Sequence, residues 1–176
     1  MIRLIKKVNN EMHYWQVWKL DKDIFTQFGT LGVIAEKEEI QRKFFESSKK
    51  VMRSLAKEKQ LQGYEYIDEE ALIKVFVQYR SKDKEQFEEV EEKSLSVEDL
   101  LDYALFSTGN GSCDGSEIGD DGGTNYCSVI SIEIALETIL KELSTNNLLD
   151  GIEIAFLNED GEYVSLYPEG AVFEIL

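Results

Sequence analysis

The sequence predicts an α+β protein built from two blocks of short strands, the first carrying one helix and the second carrying helices on either side of further strands. Three observations lead there. Apolar and polar residues alternate in short β-rich runs such as Tyr14-Trp15-Gln16-Val17-Trp18 and Ile73-Lys74-Val75-Phe76-Val77, and a period of two marks a strand with two different faces. Other runs repeat apolar residues at helical spacing: Val51, Met52, Leu55 and Ala56, then Ile132, Ala135, Leu136, Ile139, Leu140 and Leu143. Charge also changes along the chain. Residues 1–70 hold 13 Lys+Arg against 12 Asp+Glu, while residues 71–176 hold 6 against 23, so the net charge of −16 resides in the second block.

Composition bounds the function. A chain of 176 residues with 43% hydrophobic and 31% charged content can bury a core. No apolar run approaches the roughly 20 residues that span a bilayer. Charges interrupt Met1-Ile2-Arg3-Leu4-Ile5-Lys6-Lys7 too often for a signal-peptide core. A cytoplasmic protein without membrane contact is therefore expected. Cys113 and Cys127 have neither zinc-knuckle nor redox-motif spacing and are expected to be free thiols, with Cys127 buried. Any histidine-based catalytic set would need His13, the only histidine, which lies in a predicted strand beside aromatics and reads as structural. The acidic second block repels phosphate, so any nucleic-acid contact falls to the first seventy residues.

In the first block, Arg3 to Val8 predicts a strand and Asn9-Asn10-Glu11 its turn. In the next strand Trp15 and Val17 share one face, and Tyr14, Gln16 and Trp18 share the other. The second aromatic face is either covered by the helix or the following domain, or is a stacking platform for a base or a partner side chain. Asp21-Lys22-Asp23 turns into Phe25-Thr26-Gln27-Phe28-Gly29-Thr30-Leu31-Gly32, and Glu36 to Phe45 predicts a further strand with Ile40 and Phe44 on one face. Ser47 or Ser48 caps a helix whose outer face holds Lys49, Lys50, Arg53, Lys57 and Lys59, the largest basic patch in the chain. Gly63 stands where the helix should end.

This order of elements, with Phe28-Gly29-Thr30-x-Gly32, resembles the WGR domain over residues 1–68. That family is named for a Trp-Gly-Arg run followed by an apolar residue, Gly, Thr, one variable residue and Gly. Its naming triplet falls on Phe25-Thr26-Gln27, so none of the three letters is kept. The resemblance implies a small antiparallel sheet packed by one helix, and contact with a DNA end or backbone, as in the poly(ADP-ribose) polymerases that carry the module. The family's Trp and Arg map to Phe25 and Gln27. Phe can still stack, but Gln lacks the charge and bidentate fork of Arg, which shifts weight toward a partner protein. The expected contact residues are Phe25, Gln27, Thr30, Lys49, Lys50, Arg53 and Trp18.

Tyr66-Ile67-Asp68-Glu69-Glu70 reads as a junction to a second domain over residues 71–176. Leu72 to Tyr79 predicts a strand with Ile73, Val75, Val77 and Tyr79 on one face. Phe87, Val90, Val97, Leu101 and Ala104 follow helical spacing. A break is expected near Ser94-Leu95-Ser96, with Ser96 capping a second piece that runs through Leu100 and Leu105, and with Glu88, Glu89, Glu91 and Glu92 facing water. A glycine-rich stretch from Gly109 to Gly123 precedes a strand from Thr124 to Ser131 and a helix ended by Asn146-Asn147. Ile152, Ile154 and Phe156 then pair as a hairpin with Tyr163 to Tyr167. With Cys113 to Ile118 as a strand, the order is βαββαβ plus a hairpin strand, the ferredoxin-like pattern. The strand ending at Tyr79, the run Gly111-Ser112-Cys113-Asp114-Gly115-Ser116 and the run Gly123-Thr124-Asn125 also resemble an uncharacterised bacterial domain, which implies no activity.

The glycine-rich stretch cannot cradle phosphate, since it carries carboxylates and no cation. As a calcium loop, Asn110, Ser112, Asp114, Gly115 and Asp121 fall at positions 1, 3, 5, 6 and 12 of the EF-hand spacing, although position 1 is uncharged and position 12 is Asp. The alternative is a solvated hairpin or bulge. Only Asp114, beside Cys113, stands in a setting that would raise a carboxyl pKa. The expected function is a non-enzymatic binding module without cofactor. It would contact nucleic acid through the first domain, or a partner protein, by the Phe25/Gln27 strand and the basic helix. The alternatives are an acidic domain that takes a basic protein partner, as immunity proteins and nucleic-acid mimics do, and a Ca²⁺-dependent module.

Overall fold

Among the described residues, two five-stranded sheets, antiparallel throughout, and three α-helices make this an α+β protein. The computed structural model describes residues 1–41, 47–81, 87–119 and 121–176. They divide into one unit of residues 1–71 with 107–109 and another of residues 72–106 with 110–176.

In the first unit β1 (Ile2–Val8), β2 (Glu11–Leu20), β3 (Asp23–Thr30), β4 (Lys37–Ile40) and β5 (Glu65–Tyr66) take the order β4-β3-β2-β1-β5. A two-residue turn joins β1 to β2, with Asn9 and Asn10 both at positive φ (48° and 69°), the conformation whose twist matches an antiparallel pair. Helix α1 (Ser48–Leu61) packs Ala56, Val51, Met52 and Leu55 against Leu4, Trp15, Val17 and Ile24. Full burial of a Leu, Val or Ile side chain there contributes about 1.5–3 kcal/mol relative to exposure, and the Ala56 methyl about 0.8. Gly63 follows the helix at φ 88° and donates its N–H to the Gln60 carbonyl. The chain then adds β5 beside β1, pairing Leu4 with Tyr66, inside the stretch that sequence alone assigns to the junction. Of the strand expected from Glu36 to Phe45, β4 covers Lys37–Ile40; Phe44 and Phe45 lie outside the described residues.

In the second unit β6 (Ile73–Arg80), β7 (Gly111–Gly119), β8 (Gly122–Val129), β9 (Ile152–Leu157) and β10 (Tyr163–Tyr167) take the order β10-β9-β6-β8-β7. Helices α2 (Phe87–Ser107) and α3 (Ile132–Thr145) share one face of this sheet. Val97, Leu101 and Leu105 of α2 and Ala135, Ile139 and Leu143 of α3 form a core there with Val75, Val77 and Tyr79. The Ser131 hydroxyl caps α3 by accepting the Ile134 N–H.

The break expected at Ser94–Ser96 is absent: α2 runs as one 21-residue helix. Val90 and Val97 are seven residues apart, two turns, so the buried stripe stays in phase without a new start. Ser94 faces inward and its Oγ bonds Asn125 Oδ1 at 3.3 Å, while Ser96 faces water. Glu91 and Glu92 are exposed as expected; the side chains of Phe87, Glu88 and Glu89 lie outside the described set. The opposite sheet face is also covered. Phe76 meets Tyr126 and Tyr163 edge-on, and Phe173 from the C-terminal segment closes over them.

Candidate binding surface

The residues expected to make contacts fall on both sides of the first unit's sheet. Ile24, Thr26 and Phe28 point toward α1; Phe25 and Gln27, one residue out of phase, point away.

On the α1 side, Lys49, Lys50, Arg53 and Lys57 are exposed. Lys49, Arg53 and Lys57 recur every four residues, so they line one helix face over about 12 Å at 1.5 Å per residue. Among the described residues none of the four pairs with a carboxylate. Lys59 is held differently, with its Nζ 5.1 Å from the centre of the Phe28 ring and 5.8 Å from that of Tyr64. Burial pushes the Tyr64 phenol pKa up.

On the other side, Trp18 and Phe25 are cross-strand partners whose rings stack at 5.9 Å and 29°. Lys37 Nζ lies 5.3 Å from the Phe25 ring centre, close enough for a cation–π contact. Both rings are half-buried.

Gln27 belongs to the interior, only 4% exposed. It ends a row of polar side chains running straight across three strands. Arg3 Nε donates to Gln16 Oε1 at 3.1 Å, and Gln16 Nε2 donates to Gln27 Oε1 at 2.8 Å. Gln27 Nε2 donates to the carbonyls of Ala35 (2.5 Å) and Ser107 (3.1 Å). The Tyr14 hydroxyl donates to the same Ser107 carbonyl at 3.1 Å, and the Gly32 N–H reaches the Thr108 carbonyl at 2.9 Å. Burial raises the Tyr14 pKa. Gly109, at φ 71°, lies flat on the Tyr14 ring, where an added Cβ would stand 2.3 Å from Cγ. This covers part of the second aromatic face. The expectation that Gln27 meets a ligand is corrected: its carboxamide oxygen is taken by the Gln16 side chain and its amide by two backbone carbonyls. Sequence could signal this only through register, which sets Arg3 opposite Gln16 and Gln16 opposite Gln27.

Thr30 ends β3 opposite His13, half-buried on the α1 side of the sheet. His13 Nε2 lies 3.8 Å from a Glu11 carboxylate oxygen on the same strand.

The calcium set is corrected too. Its stretch is a hairpin of β7 and β8, with a register shift between Cys113 and Ser116 and Gly115 at φ 151°. Asn110 precedes β7 and Asp121 follows it, so nine extended residues of roughly 3.3 Å each separate them. One cation with ligands at about 2.3–2.6 Å cannot touch both. Asn110 is buried, and its side chain bonds the backbone N–H and carbonyl of Ser131 at 3.0 and 2.9 Å; Asp114 is exposed. No cluster of three or more His, Cys, Asp or Glu suited to a metal occurs among the described residues. No helix among them is long and apolar enough to cross a membrane.

No family model, curated protein or solved structure matches this chain significantly.

Proposed function

We propose that the first unit is a non-enzymatic binding module of WGR type that holds a nucleic-acid backbone along α1. One observation carries this reading: Lys49, Lys50, Arg53 and Lys57 form an exposed cationic line with no carboxylate partner among the described residues. A surface lysine is usually solvated, but four aligned cations would release counterions together when they meet a polyanion. The Trp18–Phe25–Lys37 patch is a second contact, on the opposite side and suited to a partner protein. The strand order of the second unit supports a ferredoxin-like reading: β6 to β9 stand in the order fourth, first, third, second, with β10 added beside β9.

The test is fluorescence anisotropy of the full chain with duplex and single-stranded oligonucleotides across a salt series, starting at low ionic strength. Binding should weaken as salt rises. Replacing Lys49, Lys50 and Arg53 together by Glu should abolish it, and each lost phosphate contact should flatten the salt slope by about 0.7–0.9. If the unmodified chain shows no salt-dependent binding at low ionic strength, the nucleic-acid role is dropped.

A second reading rests on the other unit, whose residues sum to −17. Glu91, Glu92, Asp99 and Asp102 are exposed on α2, and Glu133 and Glu137 on α3. This surface suits a basic protein and would steer its approach at low salt.

A further inference from the structure

We propose that Cys113 and Cys127 close a reversible cross-strand disulfide that staples β7 to β8, made and released by exchange with a small-molecule thiol–disulfide couple. The two are free thiols, directly opposite each other in the β7–β8 ladder. Their place in the hydrogen-bond alternation suits a bridge. The Ile130 N–H donates to the Asn110 carbonyl at 2.8 Å, which makes 110 and 130 a bonded pair. Counting inward in steps of one, 112 and 128 are bonded, while 113 and 127 form a non-bonded pair. The Cys113 N–H is accordingly free of the ladder and donates to Asp102 Oδ1 at 3.1 Å. Non-bonded pairs hold their Cα atoms about 4.5 Å apart with side chains close together, within the span of about 4.4–6.8 Å that disulfides bridge. Both side chains enter the same core on the helix side of the sheet. The two thiols meet there: the hydrogen bond with the Cys113 thiol, then burial, then the charges nearby raise the Cys127 pKa well above the usual thiol range.

Access comes from the edge. Among the described strands β7 pairs with β8 alone, and its bulge begins immediately after Cys113, so this strand end opens at a lower cost than the sheet centre. On opening, the Cys113 thiolate attacks one sulfur of a small disulfide, forming a mixed disulfide and expelling the other half as a thiolate. The Cys127 thiolate then attacks the Cys113 sulfur, the cross-strand bond forms, and the second small thiol leaves. Two protein thiols are oxidised and one small disulfide is reduced to two thiols. The bond ties the outermost strand of the second unit to β8 and constrains the unfolded chain.

The test equilibrates the folded full chain in a series of oxidised-to-reduced glutathione ratios, quenches with acid, then alkylates in neutral guanidinium with excess N-ethylmaleimide, so that buried thiols react, before mass spectrometry. The oxidised chain should lose the mass of two hydrogens, take no alkylation at Cys113 or Cys127, and melt several degrees higher, all reversed by dithiothreitol. Cys127→Ser should stop at the mixed disulfide on Cys113. The proposal is overturned if both cysteines of the unmodified chain stay alkylatable at the most oxidising ratio, if a glutathione adduct persists without ring closure, or if the bond forms only in urea. The measurement on the unmodified chain decides the matter even where a serine variant fails to fold.

Discussion

At position 27, a carboxamide closes a row of side-chain hydrogen bonds that starts at Arg3 and ends on the Ala35 and Ser107 carbonyls. An arginine there would bring a second cation into the row and offer the Gln16 amide no acceptor. Gln27→Ala should cost about 1–3 kcal/mol in urea unfolding, the penalty for stranding buried polar partners. Gln27→Arg should cost more, because it buries an uncompensated charge. Equal stability of Gln27→Arg and the unmodified chain would show that the row is not needed. A second residue sets a pH limit. Tyr126 donates to a Glu117 carboxylate oxygen at 2.7 Å. Burial, then the bond to Glu117 and the charges of Glu117 and Tyr163, raise its phenol from 10.0 to about 12. The folded state thus holds this proton more tightly than the unfolded chain. Its stabilising contribution is present below pH 10 and is lost as pH rises through about 12. Tyr126→Phe should flatten the fall of stability across that window; an unchanged slope would refute the assignment.

At the level of elements, the serines of α2 separate two interpretations of one stretch. Were Ser96 a cap, Ser96→Ala would cost about 1 kcal/mol; in the continuous helix it should gain a few tenths, since alanine is the better helix former. Ser94→Ala should instead cost about 1–3 kcal/mol, because Ser94 is the partner of buried Asn125, whose Nδ2 has none among the described residues. Urea midpoints of the two variants should therefore move in opposite directions. The stretch misled sequence reasoning because Ser-x-Ser before an apolar run is also a start signal, and only packing tells a buried Ser94 from an exposed Ser96. Elements with a complete pattern were legible: the apolar face of α3 and the alternation of β6, β9 and β10 predict their observed positions closely. The β7–β8 hairpin was obscured because glycines and carboxylates fill its outer positions and a bulge interrupts its period. Among site residues, the basic line of α1 could be read from helical spacing. The burial of Gln27 could not, because it depends on three strands in register and on Ser107, eighty residues away in sequence.

For the whole molecule, charge and topology set the behaviour. The second unit carries −17 while the first is near neutral, so its folded state repels itself, and added salt should relieve that. Thermal melts should rise with sodium chloride before any Hofmeister effect enters; a flat response would mean that the carboxylates are already compensated. The first unit raises a question of valency. Its five-stranded sheet separates the cations of α1 from the Trp18–Phe25 pair, and no flat ligand can lie against both. Two occupants, one on each side, would not exclude one another. If both proposed contacts are made, the first unit would act as an adaptor, with a polyanion behind it, a second molecule in front and the sheet as the spacer between them.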